Sequence, residues 1–324
     1  NNQTISANTT FAPRVGFNYR VPVPRKTELR GGLGLFQGRN PAVWLANAYQ
    51  NAGTASSITV NVNGNNQPTL QFQPDPTKQP IPAGTAPVPT INLTAPGFKM
   101  PASWKGNLAL DHQLPWGGLV ATLELTETKV DQGIFIDFLN YQTATTGPAT
   151  MPDGRIRYAG GITPNISGFT SSNPNFLTAA YNPATTTFAQ TNTTGRRRSA
   201  SFADVYRINN TDKGGSSDVT LALARPMKNH WSAGIAWTRG HATEVSPLTS
   251  STAGSLYSNR PVYNPNDNVA SRSNTETRDK IVAQYRREFD FFKLPSTKTT
   301  LSLVYEGHTG RTYSWVFAGD ANGD

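Results

Sequence analysis

Segments of apolar/polar alternation recur along this chain, and the gaps between them are alternately short and long. Arg14–Val21 is the clearest case. Val15, Phe17, Tyr19 and Val21 fall on one face, and Arg14, Gly16, Asn18 and Arg20 on the other. A period of two is the mark of a strand with unlike faces. The apolar face resumes at Leu29, Gly31, Leu33 and Leu35, opposite Glu28, Arg30, Gly32 and Gly34. Glycines here suit tight curvature in a closing sheet. A third strand, residues 104–114, sets Gly106, Leu108 and Leu110 against Lys105, Asn107 and Asp111. Leu119, Ala121, Leu123 and Leu125 then oppose Thr122, Glu124 and Thr126, and Val219, Leu221 and Leu223 oppose Asp218 and Thr220. Trp231, Ala233, Ile235 and Trp237 oppose Ser232, Gly234 and Thr238, and a last pair carries Ile281, Ala283 and Tyr285, then Leu301, Leu303 and Tyr305.

Within each pair the link is short: 22–26, 115–118, 226–230 and 291–296. Between pairs the stretches are long and polar: 37–102, 140–201 and 240–276. Pro115-Trp116-Gly117-Gly118 is a turn signal. A soluble sandwich has no reason to place every long loop on one side. A transmembrane β-barrel does, with short periplasmic turns and long extracellular loops. Residues 202–208 also read as β. Counted as a separate membrane strand, they would put the 226–230 turn on the wrong side. They are therefore an extracellular extension of the strand at Asp218, or part of a loop hairpin. The result is roughly eight membrane strands of about 9–11 residues each. Trp116, Trp231, Phe289, Phe291 and Phe292 gather at the short-turn end, as an interfacial aromatic girdle requires.

Composition agrees. Hydrophobic residues are 36% and charged residues 15% of 324, with 28 Gly and 24 Pro, and mean hydropathy is −0.47. Only alternate strand positions of a barrel need be apolar. No apolar run approaches the length of a spanning helix, which leaves the barrel as the way to satisfy backbone groups in a bilayer. There are no cysteines, which removes disulfides and thiolate metal sites. The formal charge of +9 is diluted by length, with one cluster at Arg196, Arg197 and Arg198. The opening decapeptide is polar and uncharged, without the apolar region of a signal peptide. The expectation is an internal segment of a longer exported protein, an arc cut from a larger barrel whose two edge strands stay unpaired and whose loops look disordered.

Certain stretches resemble a known family. Phe11-Ala-Pro-Arg-Val-Gly-Phe-Asn-Tyr19 and Leu29-Arg-Gly-Gly-Leu-Gly-Leu-Phe36 resemble TonB-dependent outer-membrane receptors of the Oar-like branch. So do residues 38–49 with Val43-Trp44-Leu45, Glu244-Val-Ser-Pro-Leu-Thr-Ser-Ser-Thr-Ala253, Asn264-Pro-Asn266 and residues 305–324. The resemblance implies a barrel of about 22 strands around a plug, energised through TonB and importing a substrate. By that pattern residues 1–324 are a partial barrel domain. The plug, the TonB-contacting segment, an N-terminal regulatory-like domain and the closing C-terminal strand are not found in it.

Candidate chemistry is sparse. His112, His230, His241 and His308 lie in different segments, and no metalloprotease, nucleophile-elbow or phosphate-loop spacing occurs. No enzyme is expected. Asp111 beside His112 reads as a lumen-side or interface pair. Arg196, Arg197 and Arg198 read as a solvated basic loop, or as ligands for lipopolysaccharide phosphate or an acidic ligand through bidentate guanidinium contacts. No aromatic-interleaved basic stripe accompanies them, so nucleic acid is not expected. Asp320, Asn322 and Asp324 place oxygen ligands at alternate positions, the half-motif of a calcium loop; the same segment also reads as a plain turn. Asn264, Asn266 and Asp267 form a fainter version. Arg14, Arg20, Arg30, Glu124, Lys280 and Arg286 read as lumen-wall residues, solvated or paired with a plug. The leading function is uptake across the outer membrane of a Gram-negative bacterium. The alternatives are a secreted β-rich adhesive or binding protein, and a capsid-like β-protein associated with nucleic acid.

Overall fold

The computed structural model describes residues 11–38, 42–53, 73–78, 88–143, 150, 153–158, 181–182, 187–188, 197–291 and 297–315. In chain order the elements are β1 (Arg14–Arg20), β2 (Thr27–Gln37), helix α1 (Val43–Gln50), a 3-10 turn (Pro76–Lys78), β3 (Ile91–Thr94), β4 (Ala102–Gln113), β5 (Val120–Phe138), β6 (Tyr181–Asn182) and β7 (Thr187–Phe188). There follow β8 (Val205–Thr211), β9 (Gly215–Lys228), β10 (Trp231–Glu244), helix α2 (Ala253–Ser258), β11 (Ser271–Arg272), β12 (Asp279–Phe289) and β13 (Thr299–His308).

Eight strands form one antiparallel wall in the order β1-β2-β4-β5-β9-β10-β12-β13. Each neighbour follows its predecessor along the chain, apart from the short strands that belong to the loops. Paired residues share a face, so the registers define rows across the wall. One row reads Tyr19, Leu29, Leu110, Leu123, Leu221, Trp237, Ile281, Gly307. The adjacent row reads Asn18, Arg30, Ala109, Glu124, Thr220, Thr238, Lys280, His308. The first is apolar but for its glycine and largely exposed; Leu221 is 47% and Leu123 42% accessible. Leucines and tryptophans in a continuous exposed row have no soluble partner. In a bilayer they are where a barrel wall needs them.

The short links all lie at one end. At residues 114–119 Gly117 and Gly118 take φ of 56° and 73°, and the Leu114 N–H donates to the Leu119 carbonyl at 2.8 Å. The β9–β10 hairpin is tighter than the sequence indicated. Lys228 pairs with Trp231, leaving Asn229 and His230 as a two-residue turn with φ of 55° and 63°. Positive φ at both central positions is the requirement of a type I′ hairpin, and Asn supplies one of them at low cost.

At the other end the long segments build a second structure. β5 continues beyond the wall, and its upper half pairs with β8, which pairs in turn with β3 in parallel. On this side β5 keeps its register, although it shifts against β4 at Ala102: Lys129 faces Gly215 of β9, and four residues further on each strand Gly133 faces Thr211 of β8. Of residues 202–208, those from Val205 onward lie in β8, which continues the line of β9 along β5, in keeping with the alternation of short and long links. The break at 212–214 lets the extension bend. Gly214 has φ of 105°, and a Cβ on Gly215 would collide with the Thr128 carbonyl.

The expectation of disordered-looking loops is corrected where the loops are described. Phe98, Ile134, Ile136, Phe138, Tyr141, Tyr158, Ile208, Ala253, Leu256 and Tyr257 form one buried cluster, with Trp44, Leu45, Met100, Ile156, Tyr206 and Leu248 packed against it. All of these residues lie outside the eight-stranded wall or on the upper part of β5. The molecule's hydrophobic core is thus in its extracellular cap. Aromatic residues scattered through polar loops were the signal, and they are invisible to a search for strand periodicity.

Candidate functional site: the inner wall and the cap above it

The inner face is a lattice of charged and amide side chains. Arg30 on β2 reaches across to β4 and β5, with Nε 3.0 Å from Asp111 Oδ2 and Nη2 3.5 Å from Glu124 Oε2. The Thr122 hydroxyl donates to the other oxygen of Asp111, and Asn107 Nδ2 donates to Glu124 Oε1 at 3.2 Å. Asn18 Nδ2 donates to Glu28 at 2.6 Å, Thr220 and Thr238 share a hydrogen bond of 2.9 Å, and Lys280 lies 2.6 Å from Glu306. Arg286 pairs with Glu288 at 3.2 Å. Arg14 lies with its guanidinium over the Phe36 ring, 4.3 Å from the centroid. The six residues read as lumen-wall positions all fall on this face. Arg30 and Lys280 are satisfied by acids one or two strands away and Arg286 by Glu288 on its own strand, so the wall carries polarity without concentrating one sign of charge.

Asp111 and His112 are not a pair. Asp111 points with Arg30 into the inner lattice, whereas His112 faces outward beside Ala121, its Nδ1 2.8 Å from Thr27 Oγ1. Consecutive strand residues point to opposite faces, so adjacency in sequence separated them.

The basic run is divided too. Arg196 lies outside the described residues. Arg197 pairs with Asp204 at 4.0 Å and its side chain is largely covered, which corrects its reading as a solvated loop cation. Arg198 is exposed, and its N–H donates to the Asn140 carbonyl at 2.8 Å. Asp320, Asn322 and Asp324 lie outside the described residues. Among the described residues no group of three or more His, Asp or Glu side chains could hold a metal ion. Asn264, Asn266 and Asp267 are brought together, but as a clasp. Asn266 Nδ2 donates to the Phe138 carbonyl at 2.9 Å and its Oδ1 accepts the Phe138 N–H at 2.8 Å. Asn264 Oδ1 accepts from Ile156 N–H at 3.2 Å, and its amide donates to Asp267 at 2.9 Å.

Other asparagines, none singled out by the sequence reading, do the same work. Asn140 donates to the carbonyls of Ser199, Phe202 and Ala203 and accepts from Ser199 N–H, all within 3.1 Å. Asn47 on α1 donates to Ser251 and accepts from Ala253, joining α1 to α2. An asparagine amide imitates a peptide group, so it can tie two loops together without a strand between them.

The cap also encloses a cleft of about 340 Å³, lined by Glu244, Arg260, Arg272, Asn274, Arg311 and Tyr313 among others. Arg260 is buried, lies 5.1 Å over the Phe135 ring, and donates to the Pro265 and Asp267 carbonyls. Burial lowers its pKa from the usual arginine value. The cleft can take a polar or anionic group. Its residues come from four separate segments, and nothing in their spacing announced it.

A one-layer wall, apolar outside and charged inside, with short turns at one end and a folded cap at the other, defines an integral outer-membrane β-barrel protein. Residues 1–307 match the model of the outer membrane beta barrel domain, and the chain belongs to that family. Its place is the outer membrane of a Gram-negative bacterium. No curated protein and no solved structure matches it.

Proposed function

We propose that this chain is part of the wall of a TonB-dependent receptor that imports a substrate across the outer membrane. One observation carries the reading. The wall has eight strands in sequence order, and β1 and β13 are its two edges, with no pairing to each other among the described residues. Unpaired strand edges in hydrocarbon cost several kcal/mol per backbone group, so such a wall is completed by further strands. The row-by-row charge of the inner face, from Arg30 to Lys280, suits contact with a plug or with water in a wide lumen. The stretches resembling the Oar-like branch support the finer assignment. On this reading the chain is not an enzyme. Its partners are outer-membrane lipid and lipopolysaccharide, a plug domain and the TonB system, and nucleic acid is not among them. A folded cap with its own cleft fits substrate capture better than the secreted or capsid-like alternatives, which have no use for a lipid-facing row.

The test is photocrosslinking in the intact full-length protein. A probe at Thr220 or Thr238 should label the plug domain, and one at Leu221 should label lipid. Crosslinks between β1 and β13 would mean that the eight strands close on themselves, and the receptor reading would fall.

A further inference from the structure

A second cleft of the cap lies between α1, β3 and α2, and its chemistry differs from that around Arg260. It holds about 350 Å³, and among the described residues no arginine or lysine lines it. Its acid, Asp204, lies 4.0 Å from Arg197, so the cleft carries no net charge to draw in an ion. Amides and hydroxyls line it instead: Asn51, Thr90, Asn92 and Ser255, beside Tyr206. We propose that this cleft binds a neutral saccharide.

The base of the cleft is a buried acceptor. Asn92 is 1% exposed and faces Tyr206 across the β3–β8 pairing. Its Nδ2 donates to the Asn47 carbonyl at 3.2 Å, which directs the amide towards α1. Its Oδ1 has no hydrogen-bond partner among the described residues. A buried amide oxygen without a donor costs free energy, and a ligand O–H that reaches it removes the cost. At the rim, the Asn51 amide and the Thr90 hydroxyl are also unpaired among the described residues. An amide sets a donor beside an acceptor, and a hydroxyl takes either role; adjacent sugar hydroxyls present the matching set. An extended peptide would instead use a free strand edge, and β3 offers none. β8 pairs along one side, and on the other the Asn92 N–H donates to the Asn51 carbonyl at 2.9 Å. The walls are fixed in advance, which lowers the cost of ordering on binding. Asn47 ties α1 to Ser251 and Ala253, and Thr252 caps α2 by accepting from the Ser255 N–H at 3.3 Å. A Cβ on Gly254 would stand 3.3 Å from the Tyr206 ring, so glycine lets the helix lie this close to it.

The inference rests on the uptake reading for its purpose, since it names a class of substrate, but binding alone tests it. Full-length protein in mild detergent, without TonB, is titrated with maltose, cellobiose and diacetylchitobiose, and with trialanine as the peptide control. Saturation-transfer NMR reports contact. At least one disaccharide should bind, and Asn92→Ala should weaken it about tenfold. Hydrogen exchange at 91–94 and 205–208 checks that the variant keeps its cap. If it does not, Asn51→Ala/Thr90→Val carries the test, because those side chains hold no other described residue, and a loss of severalfold is expected. Sugar binding that persists in a protein whose β1 and β13 crosslink would remove the transport reading and leave the site standing. Failure of all three sugars to bind, equal binding by variant and native protein, or binding of trialanine in their place would each overturn the proposal.

Discussion

The wall and the cap are made from one strand and obey opposite rules. Along the lower part of β5 the odd positions Leu123 and Leu125 are apolar and exposed, and the even positions Thr122 and Glu124 are polar. The register with β4 shifts where Ala102 faces Gln132 and Ser103 faces Val130, and beyond it residues 134–138 are all buried, Phe135 and Asp137 on one face and Ile134, Ile136 and Phe138 on the other. The strand passes from a single exposed apolar face to burial on both faces. In the bilayer stretch the apolar solvent is outside and the single layer needs no core. In the aqueous stretch the apolar side must be covered by protein, and helices, loops and β8 cover it. An apolar exposed residue therefore means different things a few residues apart.

The sharpest way to separate the two regions is to empty the cap's core. Phe138 is 3% exposed and its ring packs on Tyr141 at 4.0 Å and Tyr206 at 5.1 Å. Phe138→Ala should destabilise the cap by about 3–5 kcal/mol. Hydrogen exchange should rise at 134–141, 205–211 and 253–258, with the wall amides of β9 and β10 unchanged. Equal acceleration in both would mean that cap and wall unfold as one unit, and the comparison would lose its force.

The wall has its own test. Leu221→Arg on the outer face should cost about 2–4 kcal/mol at the bilayer midplane, and Thr220→Arg next to it much less. Refolding of the full-length protein into bilayers measures both. Similar penalties would indicate a sheet packed on two sides.

A smaller effect should come from the asparagine clasps. Asn140→Ala removes the donor to three carbonyls and the acceptor for Ser199, and leaves groups at 199–203 without partners. The expected loss is about 1–3 kcal/mol, read as faster proteolysis at 197–204 with β4 and β9 intact. Cleavage unchanged from the native protein would show that water replaces the amide without penalty.

Most of the wall was legible in the sequence, because membrane strands must alternate and their turns must be short. The rows through Leu123, Leu221 and Ile235 follow from a period of two, and so does the inward placement of Arg30 and Glu124. The cap was not legible for physical reasons. Its core is assembled from Phe98, Tyr158 and Tyr257, residues far apart in the chain that share no periodicity. Its joints are asparagines such as Asn47 and Asn266, a residue type that reads as loop wherever it stands. The same holds for the clefts: Arg260, Arg311 and Asn92 acquire their surroundings only when the loops fold. The Asp111–His112 reading failed for the reverse reason, since neighbours on a strand are the two residues that cannot share a face.

The least disruptive probe of the comparison is acid. Glu276 is buried at the junction of cap and wall. Its desolvation favours the neutral acid, but hydrogen bonds from the Ala242 N–H and Arg272, with the charges of Arg272 and His241, outweigh it and hold the carboxyl below the ordinary glutamate range. A carboxyl whose folded pKa is depressed contributes stability above its unfolded value, about 4.3, and loses it as the pH falls through the folded value. The segment 245–278 should therefore loosen as the pH drops below that range, with the β9–β10 pairing below it retained. Glu276→Gln should remove this acid dependence while weakening the segment at neutral pH, where Arg272 and His241 lose their shared partner. A Gln variant that still loosens over the same acid range would assign the transition to another carboxylate. The cap would then be joined to the wall by something other than this clasp.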